Sequence, residues 1–394
     1  METARIAGVG MLPFVKPGGP ADYRSMGEQA VRLALADAGL DVTDLQQAYA
    51  GYVYGDSTSG QAVLYQVGLT GIPIVNVNNN CATGSTALYL ARQAVESGAA
   101  DCVIAVGFEQ MSPGALGDIY PDRPSPVEKF VAVAERKEGA DSVPIAIKLF
   151  GGAAIDYQKK YGAEDRTFAM VAVKARRHAR HNQRALFRNE LTVEEVLQSK
   201  KMLGPLTRLQ CCPPTCGAAA AILVSGKFAR RKGLKSSIAI RAQSMTTDGP
   251  STFESGDMIK VVGFDIARAA ADAVYERAGV GPNDIDVVEL HDCFTANEIV
   301  SYEALRLAPD GEAEKFIRDG DNSYGGKVVT NPSGGLLSKG HPLGATGLAQ
   351  CAELVWQLRG AAEARQVEGA RLALQHNLGI GGACVVTLYE RALA

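Results

Sequence analysis

The sequence predicts an α/β protein of two related halves, with mixed or parallel sheets and an inserted, mostly helical segment between the halves. Three observations carry this. Two motifs recur in the same order along the chain, helical patterns alternate with short apolar runs, and residues 115–205 break that alternation with prolines and charge. Such alternation is what helices packed on buried strands require. With 394 residues, 46% of them hydrophobic, the chain is long enough to bury a large core.

The recurrence is read residue by residue. Ala38-Gly39-Leu40-Asp41-Val42-Thr43-Asp44-Leu45 matches Ala278-Gly279-Val280-Gly281-Pro282-Asn283-Asp284-Ile285, each after a helical pattern and before a strand-like run. Cys81-Ala82-Thr83-Gly84-Ser85 matches Gly344-Ala345-Thr346-Gly347-Leu348, and each Ala-Thr-Gly opens a helical segment. The second pair lies further apart than the first, so the second half carries an insertion. Ser25-Met26-Gly27-Glu28 has capping-box spacing, and Gly39 suits the C-terminal cap of the helix it ends. Residues 84–97 put Leu88, Ala91 and Val95 on one helical face, with Arg92 and Glu96 elsewhere. Asp101–Val106, Val287–Leu290 and Ala383–Leu388 are apolar runs fit for buried strands. Residues 115–205 hold Pro121, Pro124, Pro126 and a basic stretch, with no strong strand pattern, and read as a helical lid. The first half then comprises 1–114 and 206–235, and the second half 236–394.

Composition excludes several classes. With 40 Lys+Arg against 43 Asp+Glu, the net charge of −3 lacks the basic excess that a nucleic-acid scaffold needs. No apolar run reaches the length of a membrane span. The start Met1-Glu2-Thr3-Ala4-Arg5 is not a signal peptide and the end Leu393-Ala394 is not a peroxisomal address, so a cytoplasmic setting is expected. Eight dispersed cysteines favour reduced thiols over a disulfide framework. Cys211, Cys212 and Cys216 have no histidine or fourth thiol nearby in sequence and read as small residues at a strand start, so no metal is expected.

Four constellations can carry chemistry. Cys81, in Asn78-Asn79-Asn80-Cys81, precedes a helix start, where free N–H groups and the helix dipole favour a thiolate. His341 lies in the glycine-rich loop Lys339-Gly340-His341-Pro342-Leu343-Gly344, ahead of the second-half counterpart of the Cys81 helix. Two related helix starts facing one site would join Cys81 to a base able to take its proton. His291-Asp292-Cys293-Phe294 ends an apolar strand, with His291 and Cys293 on the same side if the chain is extended. His376-Asn377-Leu378-Gly379-Ile380-Gly381-Gly382 joins two apolar runs and can expose backbone N–H groups to an oxyanion. Each also has a plain structural reading: a small buried cysteine, a hydrogen-bonded histidine, a polar strand end, a turn. The basic stretch Lys174, Arg176, Arg177, Arg180, Arg184 and Arg188 reads either as a contact for the phosphates of a nucleotide-like cosubstrate or as a solvated helix face. Its histidines, His178 and His181, read as surface residues.

In order along the chain, the Cys-Ala-Thr-Gly block, Asn331-Pro332-Ser333-Gly334-Gly335, Gly-His-Pro-Leu-Gly-Ala-Thr-Gly and the late glycine loop resemble the thiolase superfamily over essentially the whole length. His-Asp-Cys-Phe, in place of that family's Asn-Glu-Ala-Phe, is similar to the sterol carrier protein type of thiolase. The resemblance implies a five-layered α-β-α-β-α fold and CoA-dependent cleavage, or reverse condensation, of 3-ketoacyl-CoA. It implies Cys81 as nucleophile, His341 as its activator, His291 as an oxyanion-hole residue and the N–H groups of Cys81 and Gly379 as a second oxyanion pair. The family's late Cys-x-Gly reads Asn377-Leu378-Gly379 here, so Cys293 is the expected acid/base, with Cys384 a poor substitute. Coenzyme A is expected as cosubstrate with no tightly bound cofactor, and a homodimer or tetramer as the assembly. Two alternatives stand beside this: a non-catalytic acyl-CoA or lipid-binding protein, and a steroid side-chain retro-aldolase. The absence of a following lipid-carrier segment weighs against the first, and the presence of Cys81 against the second.

Overall fold

The computed structural model describes residues 3–114, 117, 120–139, 143–234 and 238–392. The expected boundaries at 114/115 and 235/236, and the readings of both chain ends, fall on or beside residues outside that set.

The first half supplies β1 (Arg5–Met11), β2 (Gln47–Gly51), β3 (Ile74–Val77) and β4 (Cys102–Glu109). A small hairpin follows, β5 (Lys201–Leu203) with β6 (Leu206–Thr207), and then β7 (Gly217–Val224). The second half supplies β8 (Ile238–Thr246), β9 (Val287–Glu289), β10 (Val329–Thr330), β11 (Leu372–Gly379) and β12 (Ala383–Arg391). The strand order is β10-β9-β11-β12-β8-β1-β7-β4-β2-β3. Read outward from the β1–β8 junction, the two halves have the same order and the same senses. β2 is parallel to β3 and β4, as β9 is to β10 and β11; β7 is antiparallel to β1 and β4, as β12 is to β8 and β11. Among the described residues the strand pairing across the junction is Arg5↔Ala239 and Ile6↔Ile238, extended by the Ile240 N–H on the Ala4 carbonyl at 3.0 Å.

The repeated sequences become repeated structure. Gly39 and Gly279 end the helices Tyr23–Ala38 and Phe264–Ala278 in the left-handed region, at φ 65° and 64°. Glycine holds that conformation at no steric cost. A single 3-10 turn follows each, with Asp44 and Asp284 accepting the N–H of Asp41 and Gly281. At the other end of the first helix the cap is Asp22, three residues earlier than the expected Ser25. The Asp22 carboxylate accepts the Ser25 N–H at 2.9 Å, and the Ser25 hydroxyl turns back to the Asp22 carbonyl.

The layers follow from which face of each sheet is apolar. The helices Thr83–Glu96 and Thr346–Arg359 pack on each other, and each touches strands of both halves. One buried cluster joins Leu88, Val95, Leu348 and Leu354 to Ile6, Val103, Leu223 and Ile240. A second cluster backs the first-half strands with the helix Tyr23–Ala38, and a third backs the second-half strands with Phe264–Ala278 and Thr295–Ala304. With the two halves of the ten-stranded sheet taken as separate layers, the result is the expected helix–sheet–helix–sheet–helix sequence.

The inserted segment is mostly helical: Glu128–Glu138, Ile145–Tyr161, Asp165–Ala179 and Val193–Gln198. The hairpin β5–β6 is the exception and straddles the boundary expected at 205/206. His178 is buried, against expectation, with its ring between the Asn331 carbonyl (3.1 Å) and the Ser323 hydroxyl (2.8 Å). It ties the lid to the second half. No helix among the described residues is long and apolar enough to cross a membrane.

Candidate active site

Cys81 lies in a tight turn between β3 and the helix Thr83–Glu96. Asn80 takes φ 49°, and the Ala82 and Thr83 N–H groups bond the carbonyls of Asn79 and Asn80. The Cys81 thiol donates to Asn80 Oδ1 at 3.5 Å. The residue is buried, and burial pushes its thiol up to about 12. The N–H of Ile380 and that of Cys81 itself pull down, but not enough, while the buried Glu109 carboxylate pushes further up. The thiolate expected from the helix start is therefore overruled by desolvation, the larger effect here.

The second Ala-Thr-Gly helix start meets the first. A Cβ on Gly84 would lie 2.7 Å from the Gly344 carbonyl oxygen, and one on Gly347 2.3 Å from the Ser85 nitrogen. Glycine at both positions lets the two loops touch, and that contact carries His341 to Cys81. Cys81 Sγ and one ring nitrogen each of His291 and His341 lie within 4.8 Å of one another. Among the described residues this is the one Cys/His/carboxylate set close enough to hold a metal ion, and Cys211, Cys212 and Cys216 form no such set. The pairing inferred from the duplication is thus present.

Hydrogen bonds select the protonation of His341. Its Nδ1 lies 2.7 Å from Thr346 Oγ1, whose single proton goes to the Pro342 carbonyl at 2.9 Å. Thr346 therefore accepts from Nδ1–H, which leaves a lone pair on Nε2. That Nε2 is buried without a partner, and burial holds the ring well below its usual range, at about 3. The ring stands edge-on to His291, centroids 5.1 Å apart.

β9 ends at Glu289, so His291, Asp292 and Cys293 lie just beyond it rather than on it. Alternation persists nonetheless. His291 faces Cys81 and His341. Asp292 turns away and accepts the Leu336 N–H at 2.6 Å. The Cys293 thiol is raised by burial first, then by the thiols of Cys212 and Cys81 and by Asp292. One buried ion pair and two hydrogen bonds brace both loops: Lys339 reaches Glu289 at 3.2 Å and the Ser333 hydroxyl at 2.8 Å, and Asn331 Oδ1 accepts the Leu290 N–H.

Three sequence readings need correction. The N–H that lowers the Cys81 thiol belongs to Ile380, one residue beyond Gly379. Gly379 instead makes room, since a Cβ there would sit 2.3 Å from the Asn79 carbonyl oxygen. Lys174 is buried and ion-paired to Glu298, with Thr330 Oγ1 at 2.7 Å, so it cannot reach a phosphate. Arg176 is buried, stacked over Phe187 and bonded to Asn189. Arg177 and Arg180 are exposed, and Arg184 stacks on Trp356.

Two residues were missed. Glu109, at the end of β4, accepts the N–H groups of Val53, Tyr54 and Gly344, and burial raises its carboxyl to about 7. A lone carboxylate closing an all-apolar strand was the available signal. Cys212 donates its backbone N–H to the Cys293 carbonyl at 2.8 Å, and its thiol sits near those of Cys81 and Cys293. Nothing local in the sequence marked it. Beside this group lies a small apolar pocket of about 20 Å³, walled by Phe130, Leu149 and Phe150 of the lid and by Leu378, Gly379 and Ile380.

Comparison with known proteins places this arrangement in context. Residues 6–227 match the model of the thiolase N-terminal domain, and residues 250–389 that of the thiolase C-terminal domain-like family. Rabbit (Oryctolagus cuniculus) sterol carrier protein 2 is 54% identical over 389 residues, 98% of this chain and 71% of that protein. The benzoylsuccinyl-CoA thiolase subunit BbsB of Thauera aromatica is 37% identical over 380 residues, covering 95% of this chain and 94% of its own. The solved Ltp2-ChsH2(DUF35) aldolase superposes with a TM-score of 0.79 at 24% identity, over 99% of this chain and 98% of that one, a likeness of fold.

Proposed function

The chain belongs to the thiolase family, and from that premise we propose that it is a CoA-dependent 3-ketoacyl-CoA thiolase working through an acyl thioester on Cys81. The observation that carries the reading is the convergence of Cys81, His291 and His341 within 4.8 Å in a closed site. In the proposed cycle the Cys81 thiol, neutral in the resting site, gives its proton to the bare Nε2 of His341 as sulfur attacks the 3-keto carbon. The N–H groups of Cys81 and Ile380 hold the alkoxide. The C2–C3 bond then breaks, and the electron pair moves onto the acetyl-CoA enolate, whose oxygen faces His291. Cys293 protonates C2, which releases acetyl-CoA. The Cys293 thiolate then takes the thiol proton of coenzyme A. The CoA sulfur displaces Cys81 from the acyl group, and Cys81 recovers its proton from His341. Arg177, Arg180 and Arg184 remain the candidates for the CoA phosphates.

The test is CoA-dependent loss of 3-ketoacyl-CoA enolate absorbance, run on acetoacetyl-CoA and on a long or branched substrate. Turnover that disappears in Cys81→Ala supports a thiolase, and the substrate ratio reports acyl range. Acyl-CoA binding with no turnover on either substrate overturns it. That outcome would favour the second reading, a non-catalytic acyl-CoA or lipid-binding protein, for which the names of the sterol carrier relatives speak.

We also propose a homodimer formed through the β3 edge. β3 is the last strand of its sheet, and Val75, Tyr65 and Leu69 beside it are 41%, 54% and 80% exposed. An open apolar edge of this kind invites pairing. Native mass spectrometry is expected to show a dimer that Val75→Lys weakens; a monomeric wild type would refute it. The eight free cysteines suit a reducing, cytoplasmic setting.

A further inference from the structure

His291 and Asn377 occupy two of the positions at which this chain departs from the usual thiolase pattern, and they touch. Asn377 Nδ2 lies 3.0 Å from His291 Nδ1. Which end of the amide faces the ring follows from a chain of hydrogen bonds that starts at an atom able only to accept. The Gly347 carbonyl lies 2.6 Å from the Gln375 side chain, so the Gln375 atom there is its amide nitrogen. Tyr389 meets the other end of that amide by donating to Gln375 Oε1. Gln375 Nε2 then donates to Ser85 Oγ at 2.8 Å, and among the described residues the acceptor that the buried Ser85 proton reaches is Asn377 Oδ1 at 2.8 Å, whereas the flipped amide would leave that proton unpaired. Asn377 therefore presents its NH₂ group to His291. A nitrogen that receives an N–H carries a lone pair, so the proton of the neutral ring sits on Nε2.

We propose that Asn377 is a positioning residue that holds His291 as the Nε2–H tautomer and so makes it the hydrogen-bond donor to the substrate oxygen in the closed site. This rests on the thiolase reading for its consequence in turnover, but not for the tautomer itself. The two histidines are thereby set in opposite senses: Thr346 leaves His341 Nε2 bare as the base, and Asn377 leaves His291 Nε2 protonated as the donor. A cysteine at position 377, as elsewhere in the family, would offer only a weak S–H donor and would not hold a histidine this way. The other groups around the His291 ring do not compete for Nδ1. His341 meets it edge-on, His376 uses Nδ1 to accept the His291 backbone N–H at 3.4 Å, and Asn297 bonds the His291 carbonyl. Cys81 lies on the substrate side. All of these are buried, so an unfavourable tautomer could not be rescued by solvent.

The experiment uses the full-length protein labelled with ¹⁵N-histidine. Two-bond ¹H–¹⁵N spectra separate protonated from bare ring nitrogens, and with only five histidines His291 is assigned by its loss in His291→Phe. The wild type is expected to show His291 bare at Nδ1 and protonated at Nε2. In Asn377→Asp the carboxylate is expected to draw a proton to Nδ1, and Asn377→Leu should leave the ring without a fixed tautomer. In both variants kcat for 3-ketoacyl-CoA cleavage should fall by about 10²-fold or more while KM changes little, as expected when a donor is misdirected. A wild-type His291 protonated at Nδ1 overturns the proposal even if both variants fail to fold. So does a tautomer that ignores Asn377→Asp, or one that moves without loss of kcat. A correct tautomer response in a wild type that never turns over would sink the thiolase reading and leave the lock standing.

Discussion

His178 illustrates how a single side chain departs from its sequence context. Among Lys174, Arg176, Arg177 and Arg180 it has the look of a solvated face, yet it is buried, and burial lowers it from 6.5 to about 3. Between those values the folded chain holds fewer protons on His178 than the unfolded chain does. Stability from this group is therefore present above pH 6.5 and is lost as pH falls toward 3. Urea midpoints measured from pH 7 to 4 should drop less steeply in His178→Gln, whose amide can still donate to the Asn331 carbonyl. An unchanged slope would mean that the residue titrates normally. Cys293 is tested at the same scale. Cys293→Ala should lower kcat on the order of 10²–10⁴-fold, the usual span for a lost acid/base, and should slow both half-reactions, because the same thiol protonates C2 and exchanges the proton of coenzyme A. A kcat that falls by less than about tenfold would remove Cys293 from that role.

At the scale of elements, the site depends on two helix starts pressed together. The Ala-Thr-Gly repeat was legible as sequence, but its spacing in three dimensions was not. Gly347 shows why glycine stands there: a Cβ would lie 2.2 Å from Ser85 Oγ and 2.6 Å from Asn377 Oδ1. Gly347→Ala should cost about 1–3 kcal/mol or more in chemical denaturation, and should also disturb the hydrogen bonds leading to His291. Gly249→Ala is the control, because nothing lies within 4 Å of that position and its φ is −103°. Equal stability of the two variants would refute the close approach. The glycine loop between β11 and β12 teaches a related lesson. Its existence was clear from the sequence, but whether Gly379 or Ile380 faces Cys81 turned on a single residue of register, which a hairpin settles only when it pairs.

For the molecule as a whole, the central helices make the halves interdependent. Thr83–Glu96 comes from the first half and Thr346–Arg359 from the second, and one apolar cluster binds both to the strands of both halves. The single tryptophan, Trp356, lies on the second of these helices under Arg184. Its fluorescence and far-UV circular dichroism should therefore trace one coincident urea transition for the full chain. A tryptophan transition that clearly precedes the loss of helix would show that the central layer opens on its own.

The sequence by itself determined the two-half α/β plan, the lid, and the identities of Cys81, His291, Cys293 and His341 as the residues to watch. Those follow from local periodicity, from capping glycines and from a repeat, all written along the chain. Only the tertiary structure decided the state of each group. Cys81 is held as a neutral thiol because it is buried, Lys174 and Arg176 are removed from any ligand because they face the interior, and Glu109, at the end of β4, and Cys212, in the loop before β7, join the site from segments distant in sequence. Desolvation and the sense of a hydrogen bond depend on what surrounds an atom, and those surroundings come from segments hundreds of residues apart, as Ser85 and Asn377 do.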